Sequence, residues 1–245
     1  MPSAPAPLRV VLLVGVLTLL THPAAAQDRV RESRSVATFT DIEYGIPGTL
    51  HVRQGDASSV EINAPQKVLD RIESAVVGGT LEISDKNESG LFDRLFGDNG
   101  FDTDQIDVYV SASTIRNLTL AGSGRVVGET QIEGESLSLN VAGSGRMDLD
   151  LDAEDLSIRV AGSGECVVRG QANALDVTIA GSGDLWAVDL EAQRAEVRIA
   201  GSGDAELNVV DHLLAEIFGS GNVRYRGRPT IETSTIGSGE VGPIE

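Results

Sequence analysis

The sequence is poor in cysteine, histidine and aromatic residues. Among its 245 residues there are 1 cysteine and 3 histidines, and aromatic residues make up only 4%. A single cysteine, Cys166, excludes an intramolecular disulfide, so the fold has to be stabilised by packing alone. With so few histidine and cysteine ligands, a transition-metal centre is disfavoured. We predict a protein that uses no cofactor.

Basic residues are also scarce. The 19 Lys and Arg residues are outnumbered by 37 Asp and Glu, which gives a formal net charge of −18. Such a surface repels phosphate groups, so we expect no nucleic-acid partner. The acidic residues are spread along the chain, which is typical of a solvated acidic surface. An affinity for cations or for cationic partners stays open.

Long apolar runs are missing after the N-terminus. The one long run, Val10 to Leu20, follows Arg9 and precedes the small residues Ala24 to Ala26. This order is typical of a secretory signal peptide, here residues 1–26, with cleavage near Ala26. The run is shorter than the ~20 residues that cross a bilayer, so we predict no transmembrane segment in the mature chain. We expect that chain to be extracytoplasmic: in the periplasm, on the outer surface or secreted.

Proline is absent between Gln66 and Arg228, whereas glycine is abundant, with 28 residues. A stretch without proline suits a backbone whose N–H groups are used in strand ladders. The tripeptide Gly-Ser-Gly occurs seven times, at steps of 21, 19, 19, 20, 18 and 18 residues. The seven triplets are Gly122-Ser123-Gly124, Gly143-Ser144-Gly145, Gly162-Ser163-Gly164, Gly181-Ser182-Gly183, Gly201-Ser202-Gly203, Gly219-Ser220-Gly221 and Gly237-Ser238-Gly239.

Each triplet lies between segments in which apolar and polar residues alternate. Leu156, Ile158 and Val160 alternate with polar residues before the third triplet. A period of two indicates a strand with one buried face. After each triplet comes a polar residue and then a residue that we expect to face inward. These inward residues are Val126, Met147, Cys166, Leu185, Ala205, Val223 and Val241.

A repeat of this size with one buried face cannot fold alone, so repeats have to stack. Parallel stacking pairs each strand with its neighbours at ~4.8 Å. We therefore predict an all-β fold, a parallel β-helix with about seven regular rungs of 18–21 residues after irregular N-terminal rungs. Glycine at each corner allows positive φ and close stacking, and we expect the middle serines to form a ladder.

The chain before the repeats has weaker strand signals. Residues 27–110 are predicted to form irregular rungs and a cap, with a helical turn near Val68 to Ile72. Residues 111–245 form the regular repeats of the same continuous solenoid. An insertion at 86–104 carries large apolar residues, which we expect to dock on the solenoid flank or on a partner. These residues are Leu91, Phe92, Leu95 and Phe96.

Several segments together resemble the bacterial putative auto-transporter adhesin head domain, also called the GIN domain. They are Phe39-Thr40-Asp41-Ile42, Leu50 to Gly55 with Val60-Glu61-Ile62 after it, Gly79 to Ile83, and Leu118 to Gly124 with its repetitions. The resemblance covers about residues 36–241. It implies a right-handed β-helix outside the cytoplasm. The insertion at 86–104 is longer than the family's usual connection.

A cation site is one hypothesis for the positions that follow the triplets. Glu165, Asp184 and Asp204 would stack on consecutive rungs about 5 Å apart, where a divalent ion would balance their charges. The triplets themselves are interpreted as structural turns. A nucleophile elbow needs G-x-S-x-G, and a catalytic serine would not be needed seven times.

A carbohydrate-active enzyme, of the polysaccharide lyase or glycosidase type, is the alternative to a non-catalytic function. Arg159, Arg198 and Trp186 are expected to face outward, where such side chains contact sugars. However, the rung with Thr178 separates the two arginines, and no pair of acids stands out from the acidic background. We therefore predict a non-enzymatic binding or scaffolding module, such as a cell-surface adhesin, with a surface glycan or a protein as its partner.

Overall fold

The computed structural model describes residues 29–86 and 106–244 of the chain. The predicted signal peptide and the apolar residues of the predicted insertion lie outside the described residues. Within these ranges the chain forms 17 strands and one short helix. In chain order they are β1 (Arg29–Arg34), β2 (Asp41–Tyr44), β3 (Thr49–Gln54), β4 (Ser59–Pro65), α1 (Gln66–Leu69), β5 (Ile72–Val77), β6 (Thr80–Asp85), β7 (Asp107–Ala112), β8 (Asn117–Gly122), β9 (Arg125–Gly128), β10 (Ile132–Gly143), β11 (Arg146–Gly162), β12 (Glu165–Gly181), β13 (Asp184–Gly201), β14 (Ala205–Gly219), β15 (Val223–Arg226), β16 (Thr230–Gly237) and β17 (Val241–Pro243).

The regular part is a stack of turns that begin and end at the triplets. Strand β12 starts at Glu165 and ends at Gly181, and Gly181 pairs with Gly162 of the strand below. Between Gly162 and Gly181 the chain has therefore completed one full turn of the solenoid. The same parallel register continues from β8 through β10 to β14 and on to β16. The predicted parallel β-helix of about seven turns is therefore confirmed.

Alternation directs one side of every strand into a single core. The predicted inward positions Val126, Met147, Cys166, Leu185, Ala205 and Val223 are buried, and Val241 is partly buried against them. Burial, together with the carboxylates of Asp148 and Glu165, raises the pKa of the Cys166 thiol to about 12. Cys166 therefore packs as a small apolar residue.

The triplets form corners that stack directly on one another. The first glycine of every triplet has φ between 100° and 142°, a region that favours glycine. A Cβ on the second glycine Gly183 would lie 2.5 Å from the carbonyl oxygen of Gly164. The middle serines are exposed, and the amide of Ser182 donates to the carbonyl oxygen of Gly162 at 2.8 Å. At the serines, successive corners are therefore joined by main-chain hydrogen bonds.

The N-terminal end of the solenoid is closed by antiparallel strands. Strands β5 and β6 form a hairpin whose turn, Gly78-Gly79, has positive φ at both residues. On the neighbouring sheet, β4 pairs antiparallel with β7, and β1 pairs antiparallel with β4. Helix α1 joins β4 to β5 and begins directly after Pro65, two residues earlier than the predicted helical turn. Proline is suited to a helix start because its missing N–H would have no partner there.

Candidate binding surfaces on the solenoid

One sheet carries a column of charged, aromatic and apolar side chains on its outer face. Its strands, in order, are β4, β7 and β3, then β9 and the first residues of β11, β12 and β13. The register aligns one outward side chain from each strand, ~4.8 Å apart, in a line that we call the central column. The central column consists of Glu61, Tyr109, His51, Val127, Asp148, Val167 and Trp186.

Ion pairs hold the side chains beside the central column. Arg146 pairs with Glu165, and Arg169 donates to the Asp148 carboxylate at 2.6 Å. The hydrogen bond to Asp148 raises the pKa of the Arg169 guanidinium. Half-exposed pairs of this kind add only about 0–1 kcal/mol to stability. Their main effect is to fix carboxylate and guanidinium groups in place along the column.

An aromatic cluster lies at the N-terminal end of the column. The rings of His51 and Tyr109 stack with centroids 4.6 Å apart and planes 12° apart. The Arg31 guanidinium lies 5.5 Å from the Tyr109 ring centre, close enough for a cation–π interaction. His51 also lies between two carboxylates, with Nε2 3.4 Å from Asp107 and Nδ1 3.6 Å from Glu129.

This cluster lines a groove of about 290 Å³. Its wall contains Arg31, Arg53 and His51 as well as the carboxylates Glu61 and Glu129. The groove therefore offers donors and acceptors together with the edges of two rings. Polar groups of opposite sign around a ring are well suited to a neutral ligand with many hydroxyls.

Residues of this cluster are far apart in the sequence. His51 and Asp107 are 56 positions apart and meet because β3 pairs in parallel with β7. The alternation of Leu50-His51-Val52 and of Val108-Tyr109-Val110 indicates outward His51 and Tyr109. Nothing in either segment shows that the two strands are neighbours, because β4, α1, β5, β6 and residues outside the described ranges lie between them in the chain.

Two more grooves follow the turns on another side of the solenoid. One, of about 440 Å³, is lined by five carboxylates together with amide and small residues, and no Lys or Arg is among its lining residues. The other, of about 390 Å³, is lined by buried leucines such as Leu156 and by Arg194 and His212. The Ser157 hydroxyl in this second groove is buried and has no hydrogen-bond partner among the described residues. The solenoid thus has several elongated surfaces besides the central column.

The carboxylates that follow the triplets already have hydrogen-bond or ion-pair partners. Glu165 pairs with Arg146, and Asp184 accepts the main-chain N–H of Asp204 at 3.0 Å. Asp204 accepts two bonds from Asn222, both of 2.8 Å. Within residues 29–86 and 106–244, no group of three His, Cys, Asp or Glu residues is arranged to hold a metal ion. The cation hypothesis for Glu165, Asp184 and Asp204 stays a prediction.

The three outward residues considered for sugar chemistry lie on two different sheets. Arg159 and Arg198 flank Thr178 in the register, and Arg198 pairs with carboxylates that include Glu216 at 3.1 Å. Trp186 is 36% exposed and lies in the central column on the other side of the triplet corner. The two arginines and the tryptophan therefore do not form one site.

A family model described as putative auto-transporter adhesin, head GIN domain, matches residues 38–229. The chain belongs to this GIN-domain family. The predicted resemblance is thereby confirmed, and the match includes the central column, with the stacked rings of His51 and Tyr109, and six of the seven triplets. In the part of the chain that the structure describes, no helix has the length and hydropathy to span a membrane.

Solved structures share the fold of this GIN-domain chain. A putative adhesin from Bacteroides fragilis is 23% identical with a TM-score of 0.80, and the match covers 89% of this chain and 98% of that one. A protein named putative lipid binding protein, from Parabacteroides distasonis, is 25% identical with a TM-score of 0.70 and coverages of 90% and 98%. A putative adhesin from Parabacteroides merdae is 19% identical, with a TM-score of 0.70 and the same coverages. A search of curated proteins gives no match.

Proposed function

We propose that this GIN-domain chain is a non-catalytic adhesion module that binds a glycan outside the cytoplasm. The central column is the observation that supports this most directly. Its rings and apolar side chains suit the apolar faces of sugar rings. The ion-paired arginines and carboxylates beside it offer fixed donors and acceptors to sugar hydroxyls. A solenoid repeats these groups along its axis, which suits an extended polymeric ligand.

Two observations support a location outside the cytoplasm. The first 26 residues have the order of a signal peptide. The family description, the head of an auto-transporter adhesin, also refers to a surface-exposed part of a protein. Cell fractionation of the native host, with the mature N-terminus determined by mass spectrometry, tests this part of the proposal. An uncleaved cytoplasmic product would contradict it.

A glycan is a better candidate than an anionic lipid. The structural neighbour from Parabacteroides distasonis is named a putative lipid binding protein. The present chain, however, has a formal net charge of −18, which disfavours approach to anionic headgroups. A sugar polymer without strong negative charge avoids this cost. Vesicle binding in parallel with glycan binding decides between the two ligand classes.

The test is a glycan array probed with the wild-type chain and two alanine variants. Trp186→Ala removes the exposed ring of the central column, and we expect binding to weaken about tenfold or more because aromatic anchors dominate such interfaces. Val77→Ala is the control, since Val77 is 59% exposed but lies on β5, which is not part of the central column. Equal loss in both variants, or no loss with Trp186→Ala, would refute the assignment of the central column as the binding surface.

A carbohydrate-active enzyme is the second candidate, and the position of His51 is the observation that favours it. An imidazole beside Asp107 and Glu129 is a group that could move a proton. Incubation of each array ligand with the chain, followed by detection of new reducing ends or unsaturated sugars, tests this alternative. Products that disappear with His51→Ala would establish it, and binding without products supports the adhesion module.

A further inference from the structure

In the described part of the solenoid, the last long strand, β16, has one unpaired edge. Strand β16, Thr230–Gly237, pairs with β14 on one side, and no strand among residues 29–86 and 106–244 pairs with its other side. All eight residues of β16 are exposed. Unpaired edges of this length template the addition of another strand. At the opposite end, β1 and β5 run antiparallel to their neighbours β4 and β6, so that end differs from the parallel edge at β16.

Exposed apolar side chains are concentrated at this end. Seven large hydrophobic residues are exposed in the described part of the chain, and four of them lie on β14 and β16. Inward positions of β16 also remain uncovered: Ile231, Thr233 and Thr235 continue the columns of the buried residues Leu213, Ala215 and Ile217. The four exposed residues are Val210 (39%), Phe218 (51%), Ile231 (38%) and Ile236 (66%).

Strand β16 carries little charge, so a second acidic copy of the chain can approach this edge. The chain carries a formal net charge of −18, so two copies repel each other over most of their surfaces. Strand β16 contains a single charged residue, Glu232. Protective devices of edge strands, such as lysine or an internal proline, are missing from β16. An edge strand without these devices is available to pair with a strand of another chain.

We propose that two copies of the chain pair tail to tail through β16, about a two-fold axis. A two-fold contact brings identical strands together in antiparallel orientation. If Thr233 lies on the axis, it pairs with its own copy, and Glu232 faces Ser234 of the other copy. Like charges are then not opposed, and the inward residues of both copies lie on the same side of the joined sheet. The inward columns of the two copies then continue into each other across the paired β16 strands.

Sedimentation velocity of the intact chain over a range of concentrations tests the proposal. We expect a monomer–dimer equilibrium that strengthens as salt rises, because salt screens the repulsion between two acidic copies. Thr233→Lys places two lysines on the axis and is expected to weaken dimerisation about tenfold or more. Thr178→Lys, at a half-buried position on the outer strand face in the middle of the solenoid, is the control and should leave the equilibrium unchanged. Circular dichroism establishes that both variants fold.

Cysteine cross-linking tests the orientation independently. Thr233→Cys should give a disulfide-linked dimer on mild oxidation, whereas Thr178→Cys should stay monomeric. The native Cys166 should not form a cross-link, because it is fully buried. A chain that is monomeric at every concentration, that assembles into open-ended oligomers, or that cross-links equally through Thr178→Cys would overturn the proposal. None of these outcomes bears on glycan binding by the central column.

Discussion

Alanine substitution of single glycines can separate the two reasons why the triplets need glycine. Gly181 has φ +123°, and a Cβ there would lie 2.4 Å from the carbonyl oxygen of Gly162. Gly183 has the steric problem alone, since its φ is not positive and its Cβ would lie 2.5 Å from the Gly164 carbonyl oxygen. Gly78 has the conformational problem alone, with φ +61° and no atom within 4 Å. Gly134 has neither problem, because its nearest atom is 3.9 Å away.

The expected losses of unfolding free energy follow from these geometries. A non-glycine residue at positive φ costs about 1–3 kcal/mol, and a side-chain atom forced against a packed backbone costs about 1–3 kcal/mol. Gly181→Ala should therefore cost about 4 kcal/mol, and Gly78→Ala and Gly183→Ala about half as much. Gly134→Ala should be within about 0.5 kcal/mol of the wild type or slightly more stable, because alanine restricts the unfolded chain.

Urea unfolding followed by far-ultraviolet circular dichroism measures these differences, and thermal unfolding gives a second reading. For a chain of this size, 1 kcal/mol corresponds to about 2–4 °C, so Gly181→Ala should lower the Tm by about 8–16 °C. A Gly181→Ala variant as stable as Gly134→Ala would show that the corner does not need glycine. If Gly183→Ala alone is neutral, the corners do not stack as closely as described.

Three further predictions concern other residues of the corners and the core. Asp204→Ala should lower the unfolding free energy by about 1–2 kcal/mol, because two donors of Asn222 lose their acceptor. Asp204→Asn should retain most of this stabilisation. We expect the same Tm in calcium and in chelator, because Asp184 and Asp204 already accept main-chain hydrogen bonds; a calcium-dependent rise that Asp184→Asn abolishes would establish the cation site. Finally, burial raises the pKa of the Cys166 thiol from 9.0 to about 12. Its contribution to stability should therefore be complete below about pH 9 and be lost as the pH rises to about 12, a loss that Cys166→Ala should remove from the pH profile.

The regular solenoid could be predicted from the sequence because its information is local and repeated. Each triplet fixes a corner through the conformational freedom of glycine, and each alternating segment fixes which side chains enter the core. The buried Met147, Cys166 and Leu185 follow directly from this pattern. Residues 27–110 gave weaker signals, and the antiparallel strands β1 and β5 were not predicted. Strand β1, Arg29–Arg34, is a polar edge strand in which apolar and polar residues hardly alternate.

The sites were much less predictable than the fold. Outward residues of a solenoid are not constrained by packing, so their identities carry little information about their neighbours. Trp186 could be placed outward from its strand alone, and it is exposed. Its position in one column with His51 and Tyr109 depends on the order β7, β3, β9, β11.

The parallel β-helix, its rung length, its corners and its inward residues could therefore be read from the sequence. These follow from backbone sterics and a period of two, which act within a few residues of the chain. The tertiary structure was needed to show that β3 lies between β7 and β9, that antiparallel strands close one end, and that β16 has one strand partner, β14, among residues 29–86 and 106–244. Strand order depends on which distant segments pair with each other. The pairing of β3 with β7 brings His51, Tyr109 and Asp107 together.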